Sequence, residues 1–202
     1  MDMHRIAEVA AAEMKYRASH QFKEKGNKFY HGQRVANSVK VLAEMIGYEG
    51  DLSEVTVAAW FHDISNGDVS HAEHGRVGAE KTKGLIGSLC TDNELSRIVS
   101  IIEIHDMRDA EGLTTEEKLL QDADLLDHFG VFEIWNTFQF ALKESMSMSQ
   151  TASLILENLK KDRRHMTQLH FEASRKILSE KLDYVQKFAE RMTVEANGEF
   201  IT

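Results

Sequence analysis

Apolar residues recur at three- and four-residue steps along most of the chain, the spacing that gathers them on one face of an α-helix. The first such stretch runs over about residues 3–19, with Ile6, Val9, Ala10 and Met14 on one face. A second runs over about 29–46, where Val35, Val39, Leu42 and Met45/Ile46 repeat. Three more helices are predicted near 130–143, 149–163 and 168–192, with the polar segment 144–150 as a flexible connection. An oxygen-bearing cap residue followed three positions later by Glu marks further helix starts at Ser70/Glu73, Thr91/Glu94 and Thr114/Glu117, with Asp51/Glu54 as an aspartate version. The breaks between them, near 47–50, 65–68, 87–92 and 107–112, are short and hold Gly or Asn. Such lengths suit helix-to-helix connections in a compact bundle. No stretch alternates with period two for long enough to make a sheet, and no internal repeat or low-complexity tail is evident. The expected fold is all-α, a single-domain helical bundle over residues 1–202.

Composition sharpens this picture. The chain has 202 residues and no proline, where average usage of roughly 5% would place about ten. Long uninterrupted helices follow, and the length is enough to bury a core without disulfides or a structural metal. The one cysteine, Cys90, cannot form an internal disulfide, which fits a reducing compartment. With 24 basic and 33 acidic side chains the formal charge is −9, which argues against a nucleic acid polymer as partner, since such binding neutralises phosphates with Lys and Arg. A small anionic ligand remains open where cations gather. No apolar run approaches the roughly 18 residues that span a bilayer, and the first residues lack the apolar stretch of a signal peptide. The expectation is a soluble cytoplasmic protein with no membrane partner and with room for a homo-oligomer.

Phosphate-binding Gly-rich loops, a nucleophile elbow, Cys-x-x-Cys and His-Glu-x-x-His are all absent. The chemistry lies in histidine and aspartate. His31 falls early in the second helix. His62 and Asp63 are adjacent at the end of an apolar helix, His74 begins the next, and His105 ends the one after. Asp122, Asp124 and Asp127 cluster on another. A lone His or Asp at a helix end is more often a cap or a dipole partner than a ligand. His62-Asp63 is harder to read so, because the helix before it (Val55, Val57, Ala58, Ala59, Trp60, Phe61) is almost wholly apolar. A pair at the edge of the core carries a cost unless it is hydrogen-bonded together or holds a metal.

The order His31, then His62-Asp63, then Asp124 resembles the H…HD…D signature of the HD-domain metal-dependent phosphohydrolase superfamily. The surroundings match as well. HGQRVANSVKVLAEMIG resembles the family's His-x-x-Arg-Val helix, VTVAAWFHDIS its apolar helix ending in His-Asp-Ile, and EKLLQDADLLDHFG the last segment of small bacterial members. Together these cover about residues 30–135. The resemblance implies an all-helical bundle around one or two metal ions, with His31, His62, Asp63 and Asp124 as ligands. HGRVGAE and IIEIH resemble the two further motifs of the two-metal branch, which implies His74 and His105 as ligands of a second ion. His71 rivals His74 on the same face, but only His74 has the trailing Gly78. Asp127, one turn after Asp124, is expected to orient a ligand, and Asp122 to face solvent. His4, His20, His165 and His170 have no such context, and the spacing of His128 says little.

Four imidazoles and two carboxylates suit Fe, Mn, Co, Ni or Zn better than Mg. The implied reaction is hydrolysis of a small phosphate ester, a nucleotide first, by metal-activated hydroxide, with His62 and Asp63 at its centre and Asp63 bridging two ions. Arg34, three residues after His31, is the leading candidate to meet phosphate; Arg76, Lys81, Lys118 and the pair Arg163-Arg164 are weaker ones. The runner-up readings are a diiron oxygenase of HD type and a non-catalytic metal or nucleotide sensor. The chain departs from the family at Ser65-Asn66-Gly67, where cyclic dinucleotide phosphodiesterases have Gly-Lys, and at 131–136, where an arginine-bearing stretch is replaced by Val-Phe-Glu-Ile-Trp-Asn.

Overall fold

The structure is a computed structural model and describes residues 1–18 and 23–200. Helix α1 spans Met3–Ala10 and passes into a π-helical turn at Ala11–Lys15. It is followed by α2 (Asn27–Met45), α3 (Ser53–Phe61), α4 (His74–Ile86), α5 (Asp92–Ile104) and α6 (Thr115–Asp127). Then come α7 (Val131–Lys143), α8 (Met148–Asp162) and α9 (Glu172–Ala196). Among the described residues there is no strand beyond one isolated bridge, Asn66 to Val69, so the fold is all-α as expected.

Helix starts separate into real and apparent capping boxes. Thr91/Glu94 and Thr114/Glu117 both close reciprocally, side chain to backbone in each direction. Asp51 instead accepts from the backbone of Ser53, and α3 starts without a side-chain cap. Ser70 bonds the Glu73 side chain in a turn that precedes α4. Ser147/Gln150 forms a complete box at the start of α8, so the connection expected over 144–150 ends at a well-defined cap. The first helix, expected to reach Ser19, ends at Lys15, and Ser19 and His20 lie outside the described residues.

The described residues divide into two compact units, one of residues 1–18 and 24–124, the other of Lys23 and residues 125–200. In the first, α2 packs on α3, α3 on α5, and α4 on α5. Val35, Val39 and Leu42 of α2, Val55, Val57 and Phe61 of α3, and Ile98 and Ile102 of α5 form its buried core. Two glycines set the spacing of these helices. A Cβ on Gly32 would lie 2.8 Å from the Trp60 carbonyl oxygen, and one on Gly75 would lie 2.7 Å from that of Glu103. Backbone therefore packs on backbone where α2 meets α3 and where α4 meets α5.

In the second unit α7, α8 and α9 pack on one another around Ile134, Ala152, Ile155, Leu178, Leu182 and Val185. The Lys181 ammonium donates to the carbonyls of Leu126 (2.7 Å) and Phe129 (3.3 Å), where a helix ends. Gly130, at φ 82°, turns the chain into α7 beside the Lys181 stem. Glu133 of α7 lies against Asp162 of α8. Burial first, then the Asp162 charge and a hydrogen bond with it, push Glu133 up to about 8. Burial raises Asp162 as well, against the pull of His165 and Lys161.

Gly32→Ala should lower stability by about 1–3 kcal/mol through forced separation of α2 and α3, read as a drop in thermal midpoint. Gly84, whose added Cβ would meet nothing within 4 Å, is the control: Gly84→Ala should cost nothing. The Glu133 carboxyl keeps a proton in the folded chain that the unfolded chain releases near the ordinary value of 4.5, so stability should fall as pH rises from there through about 8. Glu133→Gln, able to donate to Asp162, should remove most of that fall in pH-dependent melting curves; an unchanged profile would contradict this proton's role.

Candidate metal centre

The first unit brings together the six side chains that the sequence singles out as ligands. His31 comes from the first turns of α2, and His62 and Asp63 follow directly after α3. His74 opens α4, His105 follows α5, and Asp124 is on α6. The imidazoles are buried, between 1% and 3% exposed.

They are arranged as two pairs. The Nε2 atoms of His31 and His62 are 3.1 Å apart, and those of His74 and His105 are also 3.1 Å apart. In both pairs the partners are 31 residues apart in the chain, and the first member is followed by one of the two close-packing glycines. His62 and His105 rings meet edge-on at 5.0 Å, which joins the pairs.

The other ring nitrogen decides what these Nε2 atoms can do. Nδ1 of His62 donates to the Ala59 carbonyl at 2.8 Å, Nδ1 of His74 to the His71 carbonyl at 2.5 Å, and Nδ1 of His105 to the Ile102 carbonyl at 2.6 Å. A carbonyl only accepts, so the proton of each neutral ring is on Nδ1 and Nε2 presents a bare lone pair. Two such lone pairs face each other across the second pair, a contact that a metal ion between them or a proton on one ring would relieve. Ligands about 2.1 Å from a shared ion at angles of 90–110° lie about 3.0–3.4 Å apart, which both separations meet.

The carboxylates supply the rest. Asp63 reaches both pairs, with Oδ2 3.9 Å from His31 Nε2 and Oδ1 3.8 Å from His74 Nε2. Asp124 Oδ1 is 3.1 Å from His31 Nε2 and 3.5 Å from His62 Nε2. Two groups of potential metal ligands therefore share Asp63: His31, His62 and Asp63, and Asp63, His74 and His105. Burial raises the cost of the Asp63 charge, but the adjacent His62 and His31 outweigh it and hold the carboxyl down at about 2. Burial alone would lower His62, yet Asp63 and Asp124 raise it, whereas burial and the His62 charge keep His105 low. The centre therefore favours cations beside its two aspartates.

Packing separates His74 from His71. The His71 side chain is 83% exposed and that of His74 3%. His71 touches Asp106 at 3.3 Å, on the outer side of the His74 ring. Asp122, expected to face solvent, is fully buried: every position from Leu119 to Asp127 is buried, so this part of α6 has no solvent face. Asp127 is buried at the end of α6. Arg34 lines a groove of about 550 Å³ with Tyr30, Gln33, Asn37 and Trp60.

Three residues without a sequence signal support the centre. Arg108 Nη2 is 3.5 Å from Asp124 Oδ2 and its Nη1 donates to the Gln121 carbonyl at 2.7 Å. Asn66 donates to Asp63 Oδ1 at 2.9 Å. Asp106 is 3.6 Å from His74 Nδ1. The loop holding Asn66 is tied down by Lys28, which donates to the Asn66 carbonyl, and by Arg17, which bonds the Ile64 carbonyl at 2.8 Å and pairs with Asp68. Burial lowers Lys28, helped by the nearby Arg17 charge and opposed by Asp68 and Asp63.

Among the described residues, no helix is long and apolar enough to cross a membrane. No curated protein sequence matches the chain. Several solved structures share its fold. An HD-superfamily hydrolase from Bacillus thuringiensis matches at TM-score 0.73 with 22% identity, over 98% of this chain and 97% of that one. Bacillus subtilis YpgQ in complex with ADP matches at 0.66 with 19% identity, over 94% and 92%. A predicted HD superfamily hydrolase from an uncultured Thermotogales bacterium matches at 0.64 with 20% identity, over 95% and 91%. The HD domain family matches residues 29–128, the stretch that holds all six clustered side chains, and this chain belongs to the HD-domain family.

Proposed function

We propose that the protein is a metal-dependent phosphohydrolase acting on a small phosphate ester, with a nucleotide as the first candidate. The observation that carries this reading is the pair of facing, bare Nε2 atoms at His74 and His105, joined to the His31–His62 pair through Asp63. The nucleotide finds support in a structure of the same fold, that of YpgQ, which holds ADP.

In this reading His31, His62, Asp63 and Asp124 hold one divalent transition metal, and Asp63, His74 and His105 hold a second. A bound metal pair supplies Lewis acidity towards a phosphoryl oxygen and makes water a better nucleophile near neutral pH. The chain's own residues do the positioning. Backbone carbonyls of Ala59, His71 and Ile102 fix three imidazole tautomers. Asn66 fixes the Asp63 carboxylate, and Arg108 holds Asp124 while bringing a permanent positive charge near the expected phosphate. Lys28 joins Arg34 and Arg108 as a candidate for phosphate contact.

Metal content of protein purified without chelator, followed by phosphate or pyrophosphate release from a nucleotide panel, tests the reading. One or two Fe, Mn, Co, Ni or Zn ions per chain and release from at least one nucleotide are expected. Two irons with oxygen uptake and no release would overturn it in favour of the oxygenase reading. Asp63→Ala should abolish both metal binding and activity, by at least about a thousandfold in kcat/KM, because both ligand groups contain it. His74→Ala should lower metal content measurably, while His71→Ala, which keeps the backbone carbonyl bonded to His74, should leave it unchanged; equal losses would contradict the assignment.

A further inference from the structure

The second unit contains a cavity of about 340 Å³, lined by His128 ahead of α7, by Glu133, Asn136, Thr137 and Phe140 of α7 and by Leu154 and Asn158 of α8. The spacing explains the grouping. Residues 133, 136, 137 and 140 share one face of α7, and 154 and 158 share a face of α8 with Asp162 behind them. Phe140 and Leu154 make an apolar wall, and the other lining groups are polar.

The unmet polar atoms among these lining residues have one character. Glu133 commits its one proton to Asp162, and its other oxygen and the Asn136 Oδ1 are buried and receive no hydrogen bond. Both are acceptors. Buried acceptors beside an open cavity are completed by donors that a ligand brings. A lone metal ion fits poorly, because the space is far larger than an ion and part of its wall is hydrocarbon. A flat, partly apolar group with neighbouring N–H donors meets the acceptors and the wall together.

We propose that this cavity binds a planar ring presenting adjacent N–H donors, as the amide and exocyclic amine of guanine do, with Glu133 and Asn136 accepting and Phe140 and Leu154 forming the apolar wall. The segment responsible, residues 131–136, is where the chain departs from the arginine-bearing stretch of small HD proteins. The ring could reach the protein as the base of a substrate or as a separate effector. The inference rests on the proposed hydrolase only for the second of the two experiments below.

Calorimetric titration of the intact chain with nucleosides, which carry no phosphate to hydrolyse, tests the binding chemistry. Guanosine should bind about tenfold or more tightly than inosine, which lacks the exocyclic amine, and more tightly still than adenosine, whose edge places an acceptor against the Glu133 carbonyl oxygen. Glu133→Leu should weaken guanosine by at least about tenfold, and Asn136→Leu should weaken it independently; melting curves confirm that each variant folds. Equal affinity for the nucleosides, or unchanged guanosine binding in both variants, overturns the inference. In a hydrolysis assay, guanosine that raises KM alone identifies a substrate base, and guanosine that changes kcat identifies an effector; either supports the site. Phosphate release without guanosine preference sinks this inference and leaves the hydrolase reading standing. Guanosine preference without phosphate release does the reverse.

Discussion

Two imidazole nitrogens facing each other at 3.1 Å, each with its proton committed on the far side of the ring, form the constraint around which the first unit is organised. Burial keeps water from relieving the contact, and the backbone carbonyl three residues earlier keeps either ring, while neutral, from presenting an N–H at Nε2. The same carbonyl bond fixes His62 in the first pair. A positive charge, a metal ion or a proton, satisfies such an arrangement, and Asp63, 3.8 Å from His74 Nε2, favours one. The aspartates gain in turn, since cations spare them the full cost of charge in a nearly closed setting.

Close helix packing delivers this geometry twice. His31-Gly32 brings α2 against the carbonyls of Ala59 and Trp60, just before His62, and His74-Gly75 brings α4 against those of Ile102 and Glu103, just before His105. In each case one helix contributes a histidine near its start and its neighbour a histidine just past its end, with a glycine letting the two backbones meet. The two pairs share both a 31-residue separation and a 3.1 Å nitrogen distance. The centre is thus set by backbone approach, and its precision comes from rigid helices and not from loops.

The all-α class could be read from the sequence because apolar periodicity and the lack of proline act locally. The candidate ligands could be read because His-Asp after an apolar helix, and histidines at helix ends, are unusual placements that the family resemblance organises. What escaped the sequence depends on tertiary packing. Arg108, Asn66 and Asp106 sit in connections after helices, where no periodicity exists to predict what they meet. Asp122 was assigned to solvent by helical phase, and the phase carries no information in a stretch buried on every side. His71 and His74 share a helical face in sequence terms, but α4 begins only at His74, so His71 lies in the turn before it and is exposed while His74 is buried. The acceptors at Glu133 and Asn136 looked like a lost family motif, because their burial beside Asp162 comes from α7 packing on α8.

The most direct test of the central claim is the tautomeric state of the histidines, read from long-range nitrogen–proton correlations of the imidazoles in the chain before and after addition of zinc, which is diamagnetic. His74 and His105 should carry their proton on Nδ1, and zinc should shift the Nε2 resonances of His31, His62, His74 and His105 while leaving those of His4 and His71 in place. Protons on Nε2 of His74 and His105, or Nε2 resonances unmoved by zinc, would contradict the account.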